Sequence, residues 1–260
     1  MDIIIISIIS IIIIIIIFIV KSYYTTPTNL ENFSLINFLS KENIEDIIYN
    51  DYDKYYDRFY KIDWIARRVN SKDEYINLIK TNNVCSEFNS NEKDRLTKLI
   101  NQIETNFKTN LNKINIPIDL LLQTPWNIGL CKGTIYENGF PHTRNLNIIL
   151  SDYHLTLSDS ELCKILRHEK IHIFQKAFPD ITLNYLSKYN FKISGRRTPE
   201  SMIRVNPDTN DDVYINSNNV LLSCKYNSMN PLSINDVNTT SQLDEHPLEF
   251  MAIDLEEKFI

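Results

Sequence analysis

Apolar positions along this chain change rhythm several times, and each change predicts an element. From Ile3 to Val20 they form a nearly unbroken isoleucine run, interrupted by Ser7, Ser10 and Phe18. A helix over that run rises about 27 Å, close to the hydrocarbon thickness of roughly 30 Å, so one transmembrane helix is predicted within an anchor at 1–21. A cleaved signal peptide is the competing reading, but no Lys or Arg precedes the run and IFIVKSYYTTP carries no A-x-A-like site. Lys21 is the only cation close to the run, and it weakly favours a cytoplasmic C-terminal side while leaving the side of the membrane open. Residues 22–39 hold Thr25, Thr26, Pro27 and Thr28 without a sustained period, which predicts a stalk.

From Ser40 the rhythm turns helical. KENIEDIIYN, DKYYDRFYKIDWIARRV and DEYINLIK predict short amphipathic helices in a helical region at 40–90, their Tyr and Phe serving as packing residues. At 91–113, Leu96, Leu99, Ile100, Ile103, Phe107 and Leu111 draw one apolar stripe, the mark of a longer helix packed on a sheet. Strands are predicted at IDLLLQT (118–124), NIGLCKG (127–133) and NLNIILSD (145–152). Gly129, Gly133 and Gly139 fall in this stretch of a chain with only four glycines, and predict tight turns or positive φ. A further helix begins at the capping box of Ser158 and Glu161, and a last one follows Pro247, with Leu248, Met251, Ala252, Leu255 and Phe259 on its apolar side. The order of helices, strands and helices predicts an α+β class.

Composition removes several function classes. The chain has 260 residues, of which about 240 follow the apolar run, enough for one large domain or two small ones. Its 27 basic and 33 acidic residues give a net charge of −6, which offers no electrostatic footprint for nucleic acid. Cys85, Cys131, Cys163 and Cys224 form no CxxC pair and no dense framework, so neither a zinc ribbon nor a disulfide scaffold is indicated.

The candidate chemistry lies in RHEKIH. His168 and His172 stand at i and i+4 on a helix, which puts two imidazoles on one face about 6 Å apart, where both can bind one Zn2+. Glu169 falls within the stripe of Leu162, Ile165, Leu166 and Ile173, where an unpaired carboxylate costs several kcal/mol unless something charged meets it. A carboxylate beside a metal that acidifies water suits a general base. A catalytic zinc takes three protein ligands, and Glu249, at the rim of the last helix's stripe beside Ala252, is the leading third. Glu245 and His246 are rivals, and Glu249 also suits a helix N-terminus on electrostatic grounds alone. In ENGFPHTR, His142 and Arg144 are candidates to stabilise an oxyanion or hold a substrate carboxylate, and Tyr214 is a candidate donor to a tetrahedral intermediate. NPDTNDDVY at 206–214 lacks the Gly and terminal Glu of an EF-hand and reads as a solvated, turn-rich loop.

With HEKIH at 168–172 and a later glutamate, the sequence resembles the zincin superfamily of zinc metallopeptidases, in its gluzincin-like branch. It is also similar to uncharacterised HExxH proteins of large DNA viruses, through NGFPHTR, RHEKIHIFQK, NPDTNDDVY and EHPLEFMA. The resemblance implies a zincin-like domain at 91–260, a mixed sheet beside the metal helix, with His168, His172 and Glu249 holding zinc and Glu169 as base. It implies hydrolysis of a peptide or protein substrate, and a sheet-edge strand, NLNIILSD, that pairs with extended peptide. Two departures stand out. The 76 residues between His172 and Glu249 far exceed the roughly twenty of gluzincins, and Gln175 and Phe178 occupy the places where a metzincin has Gly and its third His. The expectation is a single-pass viral membrane protein, in a host or virion membrane, touching the bilayer through Ile3 to Val20. An inactive zincin-like envelope protein, a zinc hydrolase of non-peptide amides or esters, and a helical membrane tether are the alternatives.

Overall fold

The computed structural model describes residues 35–110, 115–238 and 245–259. The first half contributes β1 (Ile36–Phe38), α1 (Lys41–Asn50), α2 (Lys61–Ala66), α3 (Lys72–Thr81), β2 (Cys85–Ser86), α4 (Ser90–Thr109), α5 (Ile118–Gln123) and β3 (Trp126–Cys131). Then come β4 (His142–Arg144), β5 (Asn147–Ser151), α6 (Asp159–Ala177), α7 (Pro179–Ser187), β6 (Lys192–Arg196), β7 (Asp212–Ile215), β8 (Leu221–Leu222), β9 (Lys225–Tyr226), β10 (Val237–Asn238) and α8 (Pro247–Lys258). The class is α+β, as the order of elements predicts, and the main sheet is mixed. The expected anchor at 1–21 and most of the stalk lie outside the described residues, and among those described no helix is long and apolar enough to cross a membrane.

The sheet is organised by β3. Along one edge β5 runs parallel to it, pairing Asn127–Cys131 with Asn147–Ser151. Along the other, β1 pairs parallel with Trp126–Ile128 and β2 antiparallel with Leu130 and Cys131. Parallel strands covered on both faces read as continuous apolar runs, which is why β3 and β5 stand out in the sequence. On one face Trp126, Ile128, Leu130, Ile148 and Leu150 pack with α4, α5, α6 and α8. On the other, Cys131 and Ile149 pack with Ile44 and Ile48 of α1 and with Tyr55, Tyr56 and Tyr75. Because β1 and β2 precede residue 91, the helical stretch and the later half share one sheet, and the stretch expected as stalk ends in a strand.

Three local expectations need correction. IDLLLQT is a helix, α5, with Ile118, Leu121 and Leu122 buried. Those apolar positions sit at i, i+3 and i+4, and a run this short does not separate helix from buried strand by period alone. Gly133 and Gly139 do take positive φ, at 65° and 72°, but Gly129 lies inside β3, where a Cβ would come within 3.0 Å of Ile44 and 3.1 Å of Ile149. That glycine lets α1 close onto the sheet. The predicted 91–113 helix is α4, opened by the capping box of Asn89 and Glu92 and ending at Thr109, with Leu111 outside the described residues. Between α7 and α8, the three-stranded antiparallel sheet β6-β7-β8 and the pair β9-β10 fill the long gap between His172 and Glu249.

Candidate metal centre

Ser158 starts α6 as the spacing predicts: its Oγ accepts from the Glu161 backbone N–H at 3.3 Å, and Glu161 accepts from the Ser158 N–H at 3.0 Å. The helix packs against α4, α5, α7 and α8 and beside β4 and β5, so its middle is enclosed. A helix buried all round should be apolar all round. Here Arg167, Glu169, Lys170, His172 and Gln175 are buried as well. Lys170 has a structural task, donating its Nζ to the Thr124 carbonyl with the Trp126 ring 4.5 Å away, and burial pushes its pKa down to about 7. The histidines and Glu169 have no such anchor on α5.

Three acceptor atoms converge beside α6. His168 Nε2 lies 3.0 Å from His172 Nε2 and 3.2 Å from Glu249 Oε2, and His172 Nε2 lies 3.4 Å from the same oxygen. A tetrahedral ion with bonds of about 2.0–2.1 Å sets its ligands about 3.3–3.4 Å apart, so the spacing fits zinc. Tautomers agree with the spacing. His168 Nδ1 is 3.0 Å from Glu256 Oε2, and His172 Nδ1 is 2.8 Å from Gln175 Oε1, whose amide is oriented by Gln175 Nε2 donating to Leu248 O at 2.8 Å. Carboxylate and amide oxygens only accept, so both Nδ1 atoms carry hydrogen and both Nε2 atoms present lone pairs. Two lone pairs and a carboxylate oxygen meeting at one point call for a cation. Without one, protons must serve: burial opposes charge on His168, yet its bonds to Glu249 and Glu256 lift its pKa well above the usual value. Burial likewise raises the Glu249 carboxyl, but the two imidazoles outweigh it and hold the group well below the usual range.

Glu249 sits in the first turn of α8, buried, with its second oxygen accepting from Asn206 Nδ2 at 2.6 Å. Glu169 is 2% exposed, and its Oε2 has no hydrogen-bond partner among the described residues. Burial, reinforced by Asp208, pushes its pKa up to about 8. With His168 and Glu249 it lines a cavity of about 460 Å³, whose apolar wall includes Phe140, Pro141, Ile165, Val205, Ile234 and Ile253.

The other sequence candidates separate. Glu245 lines the cavity but is not grouped with the three ligand atoms. His246 is engaged at both nitrogens: Nδ1 accepts from Leu248 N at 3.2 Å as the cap of α8, and Nε2 faces Asp212 O at 3.2 Å. Arg144 is fully buried and does not line the cavity; it is paired with Asp51 at 2.8 Å and Asp53 at 2.7 Å. Tyr214 packs in the core edge-on to the His246 ring, 5.1 Å between centroids, and does not line the cavity. His142 does line it. Its Nδ1 donates to Phe140 O at 2.9 Å and burial lowers its pKa, so the neutral ring carries a lone pair on Nε2, which accepts and does not donate to an oxyanion.

Several site residues escape sequence reading. NPDTNDDVY is no solvated loop: Asp208 is buried, accepting from Thr143 N and Oγ1 at 2.6 and 2.7 Å, while Asn206 holds Glu249. Nothing in its turn-like composition signals this. Glu256 and Gln175 were more accessible, because Glu256 lies seven residues from Glu249 and Gln175 three from His172, each on the same helix face. The strand expected at the sheet edge is interior, since β4 pairs antiparallel with β5. On β4 itself, Thr143 N is taken by Asp208, and Thr143 O accepts from Lys176 Nζ at 2.9 Å. An extended peptide finds no free backbone at that residue.

The chain matches no known protein family, no curated protein and no solved structure.

Proposed function

We propose that the chain is a zinc-dependent hydrolase of peptide bonds, tethered to a membrane by Ile3 to Val20. The observation that carries this reading is the convergence of His168 Nε2, His172 Nε2 and Glu249 Oε2 within 3.0–3.4 Å of one another, with both Nδ1 atoms held by hydrogen-bond acceptors. A bound zinc ion supplies Lewis acidity, polarising a carbonyl and acidifying water. The protein does the rest. Glu169, buried and without a hydrogen-bond partner at Oε2, takes and returns a proton at its carboxylate. Glu256 and Gln175 fix the imidazole tautomers, and Asn206 orients Glu249. The apolar part of the wall offers a surface to a substrate side chain.

A second reading, hydrolysis of a non-peptide amide or ester, draws support from one observation. Thr143, in the middle of β4, has its backbone N–H and carbonyl occupied, so the means by which an extended peptide aligns on a sheet edge is missing there.

The test is zinc content of the full chain in detergent after gel filtration, beside His172→Ala, by elemental mass spectrometry. One ion, lost in the variant, is expected. A folded wild type that takes up no zinc on reloading sinks both readings. Cleavage of a broad peptide library against Glu169→Gln, and of lipid and cell-wall amides and esters, then separates the two.

A further inference from the structure

The charges lining the cavity are unequal, and one of its cations makes no direct ion pair among the described residues. Six carboxylates line it, at Glu137, Glu169, Asp208, Glu245, Glu249 and Glu256. The three cations are Arg67, Lys164 and Arg204. Arg67 forms a buried pair with Glu137, and Lys164 Nζ lies 3.5 Å from Glu256 Oε1. Arg204 makes no ion pair within 4.0 Å among the described residues, and its guanidinium makes one long hydrogen bond, from Nη1 to Ile234 O at 3.3 Å. A guanidinium carries five donors in a fixed fork, so most of this one's capacity is open. Arg144 and Arg197 differ: Arg144 meets two aspartates, and Arg197 pairs with Asp63 at 2.7 Å and Asp211 at 3.2 Å, whereas buried Arg167, which does not line the cavity, also has no hydrogen-bond partner at Nε among the described residues.

Position strengthens the contrast. The backbone at Arg204 is fixed, its N–H donating to Cys224 O at 2.9 Å beside the Ile203–Lys225 bridge. Two residues on, Asn206 touches the candidate ligand Glu249, and four residues on, Asp208 is the carboxylate that acts electrostatically on Glu169. Arg204 therefore opens a short segment that leads to the reacting groups. Burial opposes the charge on Arg204 while Glu245 and Glu249 act through space and raise its pKa, but neither pairs with it directly, and both oxygens of Glu249 are engaged, one by the imidazoles and the other by Asn206. Half-buried and rigidly based, an unpaired guanidinium suits a planar, two-oxygen partner that arrives with the substrate.

We propose that Arg204 is a substrate-recognition residue that pairs with a carboxylate of the substrate, so that the hydrolase selects acidic substrates. The carboxylate comes from a chain terminus or from an Asp or Glu side chain. This assignment rests on the metal-centre reading for the place of the reacting bond, and its test separates the two.

The probe is a series of α,ω-dicarboxylates of about four to eight carbons, each beside its monoamide, titrated calorimetrically into the zinc-loaded full chain. Acetohydroxamate serves as the reference metal ligand. At least one diacid should bind about tenfold or more tightly than its monoamide, the scale of one charge-assisted pair. Arg204→Gln should reduce the ratio to about twofold or less and leave acetohydroxamate binding unchanged, while Arg204→Lys retains part of it. No diacid preference at any length in wild type overturns the proposal even where acetohydroxamate binds. If zinc and acetohydroxamate fail to bind, the metal reading falls, and the same pairs on the metal-free chain decide the role of Arg204: a preference lost in Arg204→Gln supports it, and none overturns it. Peptides with free or amidated C-termini, and with Glu or Gln inside, then show which source of carboxylate carries the preference.

Discussion

Two buried polar clusters line the same cavity and are built in opposite ways. Around Glu137 every acceptor meets a donor: Arg67 Nε at 2.9 Å, Tyr55 at 3.0 Å and Tyr75 at 3.1 Å surround the carboxylate. Those bonds hold Glu137 at a φ of 44°, in the left-handed region that disfavours side chains. Around Glu249 acceptors meet acceptors, with two imidazole nitrogens and an oxygen facing one point. Both clusters are enclosed, so burial does not distinguish structure from function here. Saturation does. The Glu137 cluster is complete within the protein, whereas the Glu249 cluster leaves three acceptor atoms facing one another, the arrangement the proposed zinc would complete.

That contrast can be broken in order of effect. Glu169→Gln should lower hydrolysis about 10²- to 10⁴-fold with zinc retained, read as kcat on the substrate found by library screening beside elemental analysis. Unchanged turnover would remove Glu169 from the chemistry. Glu137→Ala should act the other way round, costing about 3–5 kcal/mol of stability in urea unfolding by stranding Arg67, with the zinc stoichiometry of the folded fraction preserved. If Glu137→Ala instead empties the metal centre, the two clusters are one unit.

The pH dependence sharpens the picture at the cap of α8. Burial lowers the His246 pKa from 6.5 to about 4, so the unfolded chain binds the proton that the folded chain refuses. Stability from this group is therefore full above about pH 6.5 and falls as pH drops towards about 4, by about 3 kcal/mol in total. His246→Asn keeps a capping oxygen and should flatten that slope in metal-free unfolding curves. Equal slopes would mean that His246 titrates as an exposed histidine. The smallest effect is expected at the tautomer partners: Glu256→Gln or Gln175→Ala should weaken zinc affinity about 10- to 100-fold in a competition assay, and affinity should fall with acidity as protons reclaim His168. A shift below twofold would show that the Nδ1 contacts do not tune the site.

The elements legible in the sequence are those with a period or a cap. The stripe of α4, the capping box of α6, the pairing of His168 with His172, and Glu249 beside Ala252 on α8 all follow from one helix face meeting one need. Misreadings occur where a local pattern serves a distant partner. Arg144 looks free in sequence because Asp51 and Asp53 lie more than ninety residues earlier. NPDTNDDVY reads as a surface loop because the partners of its polar atoms, Thr143 donating to Asp208 and Glu249 accepting from Asn206, come from elsewhere in the chain. IDLLLQT is a helix because α4 and α6 offer it a surface to cover, which no seven-residue window reveals.

The segment that separates α6 from Glu249 carries a thermodynamic consequence. Between His172 and Glu249 lie 76 residues, among them α7 and the strands β6 to β10. An ion held by both ends is a crosslink on that loop, and restricting an unfolded segment of this length removes chain entropy worth about 4 to 5 kcal/mol in the ideal-loop estimate. With the proposed ion in place, the same three side chains would also act as a clasp across α7 and the strands β6 to β10.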